Sequence, residues 1–362
     1  MKNIFSFTGA RKIVFGSGAF EQLLEYVDEF KGSKPLVVLD GNLSLAGFKE
    51  RVSGLFESGG MGYIIFDRVE GEPPLELALA DEGAKIALKE KCDLVVGIGG
   101  GSAMDVAKAV AVIAANKGRA KDYLGLNKVP GPGLPKIMIP TTAGTGSEVT
   151  FTSVFIRKAL KKKEGMNSPW LYPELALLDP VLTLSVPSNV TAATGIDALC
   201  HAIESYTSIN SSPLSELVSL EAIRLISSDL RTCVHDGGNL KARENLLLGS
   251  LYAGLGLANA GVTAVHSLSY PLGGKYGISH GVANTVLLPY VMRYNLPGAM
   301  EKFAVVAEAM GEVIDDLSIR EAADMAVDAV EALIVDCVAR PLENNPRKVT
   351  VEDAVDIYNE AY

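Results

Sequence analysis

The chain has 362 residues, 48% apolar and 21% charged, which excludes a disordered or fibrous chain and suggests two domains of ordinary size. Its 33 Lys and Arg against 43 Asp and Glu leave a net charge of -10, which argues against a nucleic-acid backbone or an anionic membrane as the main partner. No apolar run is long enough to span a bilayer, the start lacks an export signal, and Cys92, Cys200, Cys233 and Cys337 are scattered without CxxC spacing; a soluble cytoplasmic protein is expected.

In chain order, the first half alternates short apolar runs with helical periods. Leu36-Val37-Val38-Leu39 reads as a strand, followed by a helix near 45–57, and Tyr63-Ile64-Ile65-Phe66 as a second, followed by a helix near 75–90. Leu94 to Ile98 predicts a third strand that runs through glycines into a helix near 102–115, and Lys136 to Ile139 a fourth, ending at Pro140. Strict alternation of this kind predicts βαβ units and a mostly parallel sheet. The charged run Arg157-Lys158 with Lys161-Lys162-Lys163 reads as a solvated turn. After Val186-Pro187 the strands stop. Helices are expected near 187–208, 213–233, 239–259, 281–295, 299–310, 319–338 and 351–361, with caps at Ser188, Ser212 and Thr350. The expected organisation is therefore an α/β domain over about 1–185 and an all-helical domain over about 186–362.

Two loops of the first domain carry ligand-binding chemistry. Gly97-Ile98-Gly99-Gly100-Gly101-Ser102-Ala103-Met104-Asp105 follows a strand and opens a helix, so the backbone can approach a diphosphate while free N–H groups face its charge. It is not GxGxxG, and a plain tight turn would also accept glycines. Pro140-Thr141-Thr142-Ala143-Gly144-Thr145-Gly146-Ser147 also follows a strand and offers hydroxyls to ribose or phosphate, although an ordinary Gly/Thr loop reads the same way. Asp40 closes the strand Leu36–Leu39. It suits the two hydroxyls of an adenosine ribose and would repel a 2′-phosphate, favouring NAD over NADP; capping the turn before Gly41 is the equal alternative.

The second domain holds a sparse set of metal-ligand residue types. Only four histidines occur, and Asp197 and His201 share a helix face at i, i+4. His266 precedes Ser-Leu-Ser-Tyr-Pro-Leu-Gly-Gly, where a helix is expected to end, and His280 opens the next helix. Three imidazoles and a carboxylate suit Fe²⁺ or Zn²⁺, whereas each histidine alone reads as a core residue. His235 reads as a helix-end histidine and is set aside.

At these residues the chain resembles the iron-containing (group III) alcohol dehydrogenase family. The resemblance is carried by GIGGGSAMDVAKAVAV (97–112), PTTAGTGSEVT (140–150), PELALLDP (173–180), TGIDALCHAIESYTS (194–208) and HSLSYPLGGKYGISHGVAN (266–284). It implies a dinucleotide-binding domain, a helical metal-binding domain and NAD(P) in the cleft between them. Asp197, His201, His266 and His280 match the metal ligands. Gly99, Gly100, Gly101, Ser102 and Asp105 fall in the diphosphate loop, and Thr141, Thr142 and Thr145 in the second nucleotide loop. Asp40 matches the NAD-favouring position, and Lys163 a lysine near the cofactor ribose. Many relatives carry a second histidine four residues after the His266 position; here it is Tyr270, which leaves the phenol, a weak relay with an ordinary pKa near 10, or a water chain to move the proton. The stretch between Ala332 and Asn344 is also shorter than in relatives.

The implied activity is reversible oxidation of a small primary or secondary alcohol to an aldehyde or ketone, with direct hydride transfer to NAD and Fe²⁺ or Zn²⁺ polarising the oxygen. A homodimer or larger assembly is implied, and no nucleic-acid or membrane partner. Two rivals stand beside it: a dehydroquinate-synthase-like lyase and a non-catalytic NAD-binding relative. The lyase would need convergent Lys and Arg, and 194–208 with 262–284 contain only Lys275.

Overall fold

Runs such as Leu36–Leu39 and Leu94–Val96 are fully buried, the condition under which parallel strands are stable, because both faces of the sheet must be covered. The computed structural model describes residues 4–70, 77–157, 160 and 162–338, and contact density divides it into two units. One comprises Thr8–Thr183 with Gly273–Gly277. The other runs from Leu184 to Leu272 and onward from Ile278.

The first unit contains β1 (Lys12–Phe15), α1 (Leu23–Glu29), β2 (Pro35–Asp40), α2 (Gly41–Leu45), α3 (Phe48–Ser58), β3 (Ile64–Val69), α4 (Leu77–Glu90), β4 (Leu94–Gly99) and α5 (Gly101–Ala115). Then come β5 (Gly125–Leu126), β6 (Lys136–Pro140), β7 (Thr152–Arg157), β8 (Lys162–Asn167) and β9 (Leu175–Leu178). Six strands form a parallel sheet in the order β1-β9-β6-β4-β2-β3. The chain builds outward from β2 to β3, then returns to place β4 and β6 on the other side of β2. That reversal leaves a crevice at the carboxyl ends of β2 and β4, where open parallel sheets bind ligands.

Of the charged run expected as a solvated turn, Arg157 instead ends β7 and Lys162 and Lys163 open β8, an antiparallel pair in a separate three-stranded sheet with β5. Arg157 and Lys162 both pair with Glu164 there, while Lys158 and Lys161 lie outside the described residues.

The second unit is helical: α6 (Ser188–Thr207), α7 (Pro213–His235), α8 (Leu240–Ala260), α9 (Ala264–Tyr276), α10 (His280–Ala309) and α11 (Ile319–Val338). Ser212 caps α7 through Ser215 N–H, with Pro213 at the first helical position. Buried Arg243 of α8 donates to Thr191 Oγ1 (2.8 Å) and Val186 O (3.1 Å), fixing how the chain enters α6. One expectation is corrected: His266 lies near the start of a helix, α9, which contains Pro271, and not where one ends. The two helices expected at 281–295 and 299–310 are found along α10, where the non-helical Ala299 (φ -149°, ψ 33°), just after Pro297, separates them at a kink. The helix expected near 351–361 lies outside the described residues. Among the described residues no single helix is long and apolar enough to cross a membrane.

Candidate metal centre

The nucleotide-type residues of the first unit gather at the sheet's reversal point. Gly99 adopts φ +148°, and a Cβ there would stand 2.8 Å from both Asp40 Cβ and Ala103 Cβ, so only glycine lets the ends of β2 and β4 meet α5 this closely. A Cβ at Gly101 would lie 2.7 Å from Thr145 Cγ2, and one at Gly100 3.5 Å from Thr142 Oγ1, so the two sequence loops pack against each other. Gly101 opens α5 with no side chain capping it, which leaves first-turn N–H groups of the kind that bind phosphate; Ser102 follows in that turn. Thr141 is buried and its N–H donates to Gly99 O (3.0 Å), tying the second loop to the glycine turn. Asp40 caps α2 by accepting from Asn42 N–H at 2.9 Å, so the turn-capping alternative is realised at the same place as the proposed ribose contact.

Asp105 is turned away from phosphate chemistry. Its carboxylate accepts from Ser147 Oγ (2.6 Å) and Val154 N–H (2.8 Å) and pairs with Lys108 Nζ (3.2 Å). Lys108 is fully buried and donates to Ser147 O (3.0 Å), Thr150 Oγ1 (3.4 Å) and Thr152 O. Together they brace the loop around Ser147 from below. Burial pushes the Glu148 carboxyl up to about 7, against a smaller opposing pull from Lys108. Lys163 is half-buried on β8, opposite Ile156.

The metal-type residues converge within the second unit. Asp197 and His201 face inward one turn apart on α6, His266 comes from the first turn of α9, and His280 starts α10. Asp197, His201 and His266 are buried, and their ligand atoms lie within 4.8 Å of one another. Asp197 Oδ1 stands 3.6 Å from His266 Nε2 and 3.8 Å from His280 Nε2. Two donors each about 2.1 Å from a tetrahedral ion would stand about 3.4 Å apart, so the spacing fits one ion. The His201 and His266 rings are stacked at 4.5 Å, with His280 edge-on to His266 at 5.2 Å. Close approach of α10 to α6 makes this possible: a Cβ at Gly281 would sit 2.5 Å from Ala193 O.

Electrostatics favour a cation here. Burial would raise the Asp197 carboxyl, but His201, His280 and His266 around it hold it well below the usual carboxylate range. Burial would likewise depress His266, yet its hydrogen bonds and charge contacts with Asp197 and Glu204 lift it to about 9. The same field that holds a proton attracts a divalent ion.

Two residues of the centre were not singled out from sequence. Asn284, one turn after His280, places Nδ2 at 2.6 Å from Asp197 Oδ1 and 3.0 and 3.3 Å from the Nε2 atoms of His266 and His280. Its Oδ1 is buried with no hydrogen-bond partner, so turning the amide over would present an oxygen to a cation at the same spot. Glu204, on the Asp197 and His201 face of α6, meets the other side of His266 at Nδ1. Cys200, Glu204 and His266 also come within metal-ligand reach of one another. Burial and the charges of Glu204 and Asp197 keep the Cys200 thiol protonated, and it donates to Glu204 (3.9 Å), which makes this group a hydrogen-bonded brace rather than a second ion site. Tyr270 sits one turn after His266, its ring tilted against His280 at 6.0 Å.

Iron-containing alcohol dehydrogenases match this chain over residues 10–180, and the C-terminal part of that family matches residues 191–341. Long-chain-alcohol dehydrogenase 1 of Geobacillus thermodenitrificans is 43% identical over 324 residues, 89% of this chain and 81% of that protein. The crystal structure of a 1,3-propanediol oxidoreductase superposes with a TM-score of 0.90 at 35% identity, covering 99% of this chain and 100% of that one. Sulfoacetaldehyde reductase from Bifidobacterium kashiwanohense, solved in complex with NAD⁺, gives 0.84 at 30% identity, with 99% of each chain covered. The chain belongs to the iron-containing alcohol dehydrogenase family, a class of metal-dependent oxidoreductases that use a nicotinamide cofactor.

Proposed function

We propose that this protein interconverts small primary or secondary alcohols and their aldehydes or ketones, using NAD in preference to NADP and Fe²⁺, with Zn²⁺ as the alternative ion. The observation that carries the reading is the convergence of Asp197, His201, His266 and His280 from three helices. When bound, the ion supplies Lewis acidity toward an alcohol or carbonyl oxygen and the nicotinamide supplies the hydride acceptor or donor. The chain's own part is to bind and orient. The four side chains hold the ion, the glycine turn receives the diphosphate with Ser102, and the Thr141–Thr145 loop with Lys163 supports the ribose. Asp40 selects against a 2′-phosphate. Tyr270, beside His280, is placed to pass the alcohol proton outward, alone or through water. A cytoplasmic homo-oligomer acting on free small molecules fits the acidic surface. The family match does not favour the lyase reading, and a buried carboxylate among three imidazoles speaks against a non-catalytic relative.

His266→Ala and His280→Ala, loaded anaerobically with Fe²⁺, are expected to lose the metal and NADH production across an alcohol panel while still binding NAD. Full metal content and turnover in either variant would defeat the assignment.

A further inference from the structure

Resting on that reading of the metal centre, we propose that Glu204 is a positioning residue: its carboxylate keeps the proton of His266 on Nδ1, reserves Nε2 for the ion, and seats α9 against α6.

The geometry is that of a fully occupied carboxylate. Glu204 is buried, and five donors converge on it: Cys200 Sγ–H, Thr263 N–H, Thr263 Oγ1–H, Val265 N–H and His266 Nδ1–H. Its Oε1 takes Thr263 N–H (2.8 Å), Thr263 Oγ1 (2.6 Å) and Val265 N–H (2.9 Å), while Oε2 takes the imidazole and the thiol. Five donors aimed at two oxygens leave no position for a proton of its own, so the group acts as a carboxylate. Two backbone N–H groups at the start of α9 are therefore satisfied by a negative charge from another helix, where the helix dipole favours one.

The chemical consequence follows from the two nitrogens of one ring. An imidazole can give only one nitrogen to an ion at a time while the other keeps its proton. A carboxylate at Nδ1 fixes which, sets the ring's rotation, and makes the nitrogen on the far side a stronger donor. On that far side stands Asp197. Because Glu204 and Asp197 sit on one face of α6 with His201 between them, the helix that supplies two ligands also aims the third. Thr263 and Val265 pull α9 into the position where that aim is correct.

The test uses the full chain loaded with Zn²⁺, which is diamagnetic, and ¹⁵N-labelled histidine; with four histidines in the chain the ring signals can be assigned by single substitution. In the wild-type protein His266 is expected to carry its proton on Nδ1 and bind zinc through Nε2. Zinc bound through Nδ1 would overturn the proposal without any variant being needed. Glu204→Gln is expected to lower zinc affinity roughly 10–100-fold in chelator competition and to change the His266 ring signals. Affinity within about threefold of wild type, with unchanged ring signals, would overturn it. In a His266→Ala background the same substitution is expected to cost no further affinity. An equal further loss there would show that Glu204 acts on folding at large and not through His266, again overturning the proposal. If His266→Ala alone retains wild-type zinc affinity, the metal assignment itself has failed, and the two failures are thus distinguished.

Discussion

Lys108→Met keeps most of the side chain's volume and removes its charge from a site with no solvent exposure. The loss is not one hydrogen bond. Nζ holds Ser147 O, Thr150 Oγ1 and Thr152 O and pairs with Asp105 at 3.2 Å, so methionine leaves two carbonyls and a carboxylate without their cation. Removing one partner of a buried ion pair costs roughly 3–5 kcal/mol. The Asp105 side chain is 14% exposed and keeps Ser147 Oγ and Val154 N–H, which places the expected loss at the lower end, about 3 kcal/mol. Asp105→Asn removes the stranded charge. The double variant is therefore expected to be more stable than the sum of the single losses, by about 1–2 kcal/mol of coupling.

The assay is built into the chain. Its one tryptophan, Trp170, lies in the α/β unit, so fluorescence in urea follows that unit separately from the helices. NAD affinity should fall with stability, because Lys108 supports the loop around Ser147 that packs on the glycine turn through Thr145. A fluorescence transition within 1 kcal/mol of wild type, or strict additivity in the double variant, would refute the brace.

Glu148 titrates near 7 in the folded protein against an ordinary 4.5, so between those pH values the folded state keeps a proton that the unfolded chain has lost, and stability falls as pH rises. Glu148→Gln is expected to flatten that fall by on the order of 3 kcal/mol, read from Trp170 urea midpoints across pH 4.5–8; an unchanged pH slope would exclude the carboxyl as its source. Asp40→Gly should shift the ratio of kcat/KM for NAD and NADP toward NADP while, glycine being a tolerated cap residue, costing only about 0.3 kcal/mol of stability at the α2 cap. An unaltered cofactor ratio would remove Asp40 from the ribose site. Gly281→Ala would press a methyl against Ala193 O, push α10 from α6 and draw His280 away from Asp197; about 1–3 kcal/mol of stability and a measurable part of the metal affinity should go. Wild-type metal content and melting would show that the approach is not tight.

What could be read ahead of the fold divides by the range of the interaction. Strands β2 to β4 and β6 are legible because each is a short apolar run that must be covered on both faces, and Asp197 with His201 because i, i+4 is a local relation. Helix α9 was hidden by its own composition: Pro271, Gly273 and Gly274 read as a breaker, whereas its first turn is anchored to Glu204, 62 residues away from His266. No periodicity carries a relation of that length. Lys108 and Asn284 are different, since each had a local signal. A lysine within the apolar helix Ala103–Ala115 has no wet face to occupy and must be buried with partners, one of which is Asp105 three residues before it. Asn284 lies one turn after a candidate ligand and so had to share its face. Glu204 had both kinds of evidence, seven residues after Asp197 and three after His201 on the same face, yet its purpose was invisible until α9 was in place. A ligand can be found by its residue type; the group that aims it is found only through the partner it holds.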